Sequence, residues 1–231
     1  KSTGAATVSL DTVPEDLRLN TQAVDGAVRL AVEPLPRTTE GVLDAVKTAM
    51  SKGLLPPRDL DGAMDDAPRN AGDLAVALSG AQAPEAGSLE VATLLGALLD
   101  ARGLGPVTYG VDDTAPDAAT DIVRRRYVVK AGDGPWMAPD DGAAPSAPRT
   151  LTAVELLANQ LAWRALADLA REDLAGSSKA SQTARSLAPN DAAILFVAGQ
   201  VQVLSGLAEP GIATMERAAG IAADSRTWFA L

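Results

Sequence analysis

The sequence predicts an α+β chain: a mainly helical core carrying a small antiparallel sheet, followed by an all-α helical region. Three observations lead there. Apolar residues recur at helical spacing in the first half, as Val42, Leu43, Val46 and Met50 and again as Val91, Leu94, Leu95 and Leu98. Two short runs rich in β-branched and aromatic residues, Val107-Thr108-Tyr109 and Tyr127-Val128-Val129, interrupt that pattern. Beyond a proline- and alanine-rich stretch, everything from Thr152 onward reads as helix.

Taken in order, residues 1–37 carry Pro14, Pro34 and Pro36 and read as an irregular arm, with Val24, Val28 and Val32 spaced for one short helix. The stripe from Val42 to Met50 is a helix stopped by Gly53 and Pro56-Pro57, and Leu60 to Ala67 suits another short one. Asp73 begins a further helical stretch through Leu78, closed by Gly80. Ser88 is placed to cap the best-defined helix, which Gly103 ends. The two strands follow, joined by a loop containing Asp112, Asp113, Asp117 and Asp121. Gly132-Asp133-Gly134 then turns the chain, so that Trp136-Met137 can add a short antiparallel strand.

Residues 141–150 have linker composition and set a boundary between a first domain, 38–140, and a helical domain, 151–231. In the latter, Thr152 and Glu155 have capping-box spacing ahead of a long helix bearing Leu156, Leu157, Leu161, Leu166 and Leu169. Turns are expected near Gly176 and at Gly206 to Pro210. Ala184 with Pro189 returns as Ala219 with Asp224, an offset of 35 residues. This period with paired helices resembles the tetratricopeptide repeat, although neither unit has the aromatic of its first signature position.

The composition excludes a good deal. Among 231 residues there is no cysteine and no histidine, so the chain supplies no thiolate, no imidazole base, no disulfide and no Cys/His zinc site. A net charge of −10 argues against nucleic acid as a partner. The longest apolar run, Ala192 to Gly199, is far below the roughly 20 residues that span a bilayer. The small, polar start from Lys1 resembles a segment left after export cleavage, which points to the cell envelope or periplasm, with the cytoplasm as the alternative.

One block carries a more specific likeness. Gly87-Ser88-Leu89-Glu90-Val91-Ala92 opens a helix that runs to Asp100-Ala101-Arg102-Gly103-Leu104, and Trp136 stands four residues before Asp140. This resembles the bacterial transglutaminase-like superfamily with its papain-like core, in which a cysteine opens such a helix. In that family a histidine then starts a strand, and an aspartate follows a Gly-Trp turn. The resemblance puts Ser88 at the cysteine, Arg125 at about the histidine and Asp140 at the aspartate. A serine hydroxyl needs a base to take its proton, and a guanidinium stays protonated. The likeness therefore implies a pseudoenzyme with vestigial positions Ser88, Arg125 and Asp140, no cofactor and no metal.

Other patterns are weighed against plainer readings. Asp59, Asp61, Asp65 and Asp66 begin like a calcium loop, but the glycine at position six and glutamate at position twelve do not follow, so a solvated acidic face is the better reading. Arg124-Arg125-Arg126 reads as a charged edge strand, or else Arg125 fills the vacated histidine site and pairs with Asp140. Trp136 and Tyr127 suit core or cleft-wall positions. Trp228 and Phe229, near the end of the sequence, either cap the helical array or dock on a partner. The expectation is a non-catalytic scaffold or accessory subunit that binds other protein subunits. Its alternatives are peptide binding in the old cleft and a Ser88-dependent hydrolase or acyltransferase.

Overall fold

The computed structural model describes residues 21–56, 70–112, 125–139 and 147–221. The chain divides between Leu151 and Thr152 into two compact units.

In the first unit, α1 (Thr21–Val32) presents Val28 and Val32, and the following turn presents Leu35, all buried. Residues 21–35 are therefore part of the core and not of an arm; the spacing of these three side chains makes one apolar stripe that packs on α3 and α4. The guanidinium of Arg102, at the end of α4, donates to the Leu35 carbonyl and holds that turn. In α2 (Thr39–Ser51) the Thr38 hydroxyl accepts the Gly41 N–H at 3.1 Å, and Val42, Val46 and Ala49 face inward, leaving Leu43 and Met50 half-buried. Asn70, not Asp73, caps α3 (Ala71–Ala75): Asp73 reaches back to the Asn70 N–H, completing a reciprocal cap. A 3-10 turn, Val76–Ser79, follows and ends at Gly80 with φ +89. The expected helix at 60–67 lies outside the described residues.

The central element is α4 (Ser88–Ala101), whose Leu94, Leu95, Leu98 and Leu99 are fully buried. It packs on α1, α2, α3 and on two strands, β1 (Val107–Asp112) and β2 (Arg126–Ala131). With β3 (Arg149–Leu151) these form an antiparallel sheet in the order β2-β1-β3. Part of the stretch expected to be linker is thus sheet: Arg149 and Thr150 pair with Val111 and Gly110 because Leu151, beside Tyr109, is an apolar residue with a buried face to fill. Met137 adds a two-way bridge to Val129, with N–H to O distances of 3.0 and 2.7 Å.

Side chains alternate across a strand, so the register sorts the sheet into two faces. Tyr109, Val111, Tyr127, Val129 and Leu151 share the face toward α4, where Gly96 lies directly under the Tyr109 phenol. Gly110, Val128 and Lys130 share the other, and the Trp136 ring covers Gly110, where a Cβ would lie 2.9 Å from the ring. Val128 and Val129 are both fully buried, so both faces are covered at the middle of β2.

The second unit is four helices: α5 (Ala153–Ala170), α6 (Leu174–Leu187), α7 (Ala192–Leu204) and α8 (Ala208–Ile221). Consecutive helices pack together, and α5 also packs on α7. Thr152 and Glu155 form the expected capping box. The first turn is Arg171 to Asp173. Gly176 lies inside α6, where its N–H is taken by the capping Asp173 carboxylate at 2.9 Å. Asp168, buried at the end of α5, is flanked by Arg164 at 3.5 Å and Arg171 at 3.3 Å.

The helix pairs repeat with a period of 34 residues, one fewer than the sequence suggested. Buried Ala184 in α6 corresponds to buried Ala218 in α8, and not to Ala219. Glu172 with φ 61 corresponds to Gly206 with φ 85, so both hairpins turn through a left-handed residue. Ala165 and Ser177 cross between α5 and α6 where Gly199 and Gly211 cross between α7 and α8. The offset of 35 sets buried Ala184 against half-buried Ala219, whereas the offset of 34 sets it against buried Ala218; burial fixes the frame.

Candidate functional site

Of the positions that the sequence resemblance singled out, Ser88 lies at the start of α4. Its N-cap is Gly87, whose N–H donates to the Glu90 carboxylate at 2.6 Å, and Glu90 is itself buried. Ser88, expected as the cap, is instead the first helical residue. With Glu90 taking the capping role, the Ser88 hydroxyl is released to accept the backbone N–H of Tyr127 at 3.0 Å. The opening of α4 is thereby tied to β2, two residues after Arg125.

Arg125 stands half-buried immediately before β2. Asp140, Trp228 and Phe229 lie outside the described residues, as do Asp113, Asp117, Asp121, Arg124 and the acidic group from Asp59 to Asp66. Arg126 faces Asp112 across the strand pair, an opposite-charge register near the edge of the sheet. Tyr127 is buried toward α4, whereas Trp136 lies on the opposite face with the Lys130 ammonium 5.1 Å from its ring centroid. The two aromatics, read from the sequence as core or cleft-wall residues, lie on different sides of the sheet.

Sequence reasoning passed over two features. A glutamate three residues after Gly87 supplies the half of a capping box that needs no side chain at the cap, and it was the available signal for the Glu90 contact. The other is the Tyr109 phenol, seated on Gly96: burial, and then the negative charge of Asp100, push its pKa up to about 12. Nothing in the sequence near Tyr109 distinguishes it, because Gly96 comes from a different element.

Among the described residues no helix is long and apolar enough to cross a membrane. Comparisons with family models, curated proteins and solved structures return no match to this chain.

Proposed function

We propose that the chain is a catalytically silent, protein-binding accessory subunit of a larger assembly, with the cell envelope as its setting. In this reading a degenerate transglutaminase-like unit is joined to a short tetratricopeptide-like one. The observation that carries the first half is the Ser88 hydroxyl accepting the Tyr127 N–H at 3.0 Å in a chain with no histidine. A helix N-terminus favours an anion at Ser88, but an alkoxide forms there only if a base removes the proton, and the basic side chain nearest in sequence to this contact is an arginine. The succession of α4, β1 and β2 is the order in which the family carries its cysteine helix, the next strand and its histidine strand, which supports the likeness.

The repeat pattern supports the second half. The family motif W-x-x-L-G-x-x-Y, then A-x-x-x-F, then P, needs small residues where paired helices cross. Laid on the 34-residue frame, its glycine falls on Ala165 and Gly199, its alanine on Ser177 and Gly211, and its proline on Pro189. The tryptophan position is aliphatic and buried, as Leu161 and Leu195, whereas the tyrosine position falls on Asp168 and Gln202 and the phenylalanine position on Ser181 and Met215. Stacked helix pairs of this kind present extended surfaces to other proteins.

Two measurements test the reading together. An acyl-serine probe such as a fluorophosphonate is expected to leave Ser88 unlabelled; labelling abolished by Ser88→Ala would put a serine hydrolase in its place. Gentle isolation from the native source, followed by size-exclusion chromatography and mass spectrometry, is expected to show stoichiometric companions. A bare 23.6 kDa monomer would overturn the subunit role.

A further inference from the structure

A small recess lies between α6 and α7, lined by Ser178 and Arg185 of α6, by Ala198, Val201 and Ser205 along α7 and its end, and by Leu207 of the turn that follows. The 34-residue frame shows why space is left there. In α5 the guanidinium groups of Arg164 and Arg171 flank Asp168. Their counterparts along α7 are Ala198 and Ser205, on either side of Gln202, so two long cationic side chains give way to short neutral ones. The volume left is about 30 Å3. Because one buried water needs roughly 10–15 Å3, the recess takes a group of about two or three heavy atoms.

The polar groups around this space are donors that lack an acceptor. The Ser205 Oγ is buried and has no hydrogen-bond partner among the described residues, an unusual state for a hydroxyl withdrawn from water. The Ser178 Oγ accepts from the Gln182 side-chain amide at 3.0 Å, which leaves its own proton to donate. Arg185 is half-buried and makes no hydrogen bond or ion pair with any described residue. Side chains on a helix lean toward its N-terminus, so the guanidinium reaches back along the recess toward Ser178. No carboxylate lines the space, although the chain has a net charge of −10.

These donors define the ligand. A planar guanidinium matches a carboxylate in shape and balances one negative charge, whereas a dianion such as sulfate leaves a charge uncompensated. The remaining wall is apolar: Ala198 and Val201 are buried, and Leu207 stands 53% exposed at the edge. We propose that this recess binds a short aliphatic monocarboxylate, its head group held by Arg185 and Ser205 and its carbon chain lying against Val201 and Leu207. The site is independent of the protein-binding role and of the family likeness, so the failure of one leaves the other standing.

Sodium propionate titrated into the full chain, labelled with nitrogen-15 and followed by NMR, is expected to shift backbone amides of α6 and α7 saturably. Sodium chloride at equal ionic strength and propionamide, the neutral isostere, are expected to leave them in place. Arg185→Gln removes a charged donor and is expected to weaken binding by about tenfold or more, and Ser205→Ala by about threefold. The thermal midpoint of Arg185→Gln is expected to match the wild type, since that side chain has no partner among the described residues to lose. Shifts that do not saturate overturn the site, as does unchanged binding by Arg185→Gln. Equal shifts from propionamide or chloride, or tighter binding of sulfate than of propionate, overturn the carboxylate assignment.

Discussion

The Ser88 hydroxyl and the Tyr127 backbone N–H meet at 3.0 Å, and this bond joins the first residue of α4 to the second residue of β2. Helix and sheet could pack on apolar area alone, with Leu94, Leu95 and Val129 all fully buried. Apolar packing is not directional, however, and it leaves the helix free to slide along the strands. The hydrogen bond removes that freedom at the one end of α4 where the chain has just turned.

Replacing Ser88 by alanine therefore acts on stability. Loss of a single partly buried hydrogen bond costs about 1 kcal/mol, and Ser88→Ala is expected to shift urea unfolding of the first unit by that amount. Ser88→Cys supplies a thiol nucleophile but no imidazole base, since the chain has no histidine. It is expected to show no amide hydrolysis above the wild type. A measurable gain in Ser88→Cys would mean that another group near β2 takes the proton.

Tyr109 gives the first unit a pH dependence whose sign is fixed. Its pKa rises from 10.0 in the unfolded chain to about 12 in the fold, because burial disfavours the phenolate and Asp100 repels it. The folded state thus holds the proton more tightly, so this contribution to stability is complete below pH 10 and is lost as pH climbs to about 12. The absorbance change of Tyr109, taken as the difference between the wild type and Tyr109→Phe, is expected to rise near pH 12. A midpoint near 10 would show that the phenol is solvated.

Local signals carried the helices; tertiary ones set the frame. The stripe around Val42 and the leucines of α4 were legible because burial on one side repeats every three or four residues. The place of α1 was not, because three prolines mask a stripe that only Leu35 completes. β3 was hidden for a related reason: a three-residue strand has no periodicity of its own and is defined by Tyr109 and Val111 across the ladder. At the site, the family likeness singled out Ser88, but a capping preference assigned it the role that Gly87 and Glu90 fill. The repeat was visible, yet its frame slipped by one residue, since adjacent alanines such as Ala218 and Ala219 are identical in sequence and differ only in burial.

The two hairpin turns provide a matched pair of backbone tests. Glu172 adopts φ 61, a left-handed conformation that costs a side-chain-bearing residue about 1 kcal/mol, while its counterpart Gly206 adopts φ 85 freely. Glu172→Gly is accordingly expected to raise the thermal midpoint of the helical unit, and Gly206→Ala to lower it, each by about 1 kcal/mol of stability. If Glu172→Gly lowers the midpoint, its side chain contributes more than the strain it causes.

The crossing of α7 and α8 is closer than that of α5 and α6, and one methyl group exposes the difference. In the first pair Ser177 is fully buried, and its hydroxyl still finds room to donate to the Ala165 carbonyl at 2.8 Å. In the second pair a Cβ on Gly211 would stand 2.7 Å from the Gly199 carbonyl oxygen and 2.9 Å from the Val203 nitrogen. Both obstacles are backbone of α7 and cannot rotate away, so the helices must part, at an overpacking cost of about 1–3 kcal/mol. Alanine at a helical glycine gains up to about 1 kcal/mol in propensity, which offsets only part of this. Gly220, with nothing within 4 Å of its Cβ position, supplies the control in the same helix. Gly220→Ala is expected to stabilise α8 slightly and Gly211→Ala to destabilise it, as read by urea unfolding followed by far-ultraviolet circular dichroism. Equal effects of the two substitutions would mean that the α7–α8 crossing is loose enough to admit a methyl group, and that the 34-residue frame does not depend on glycine there.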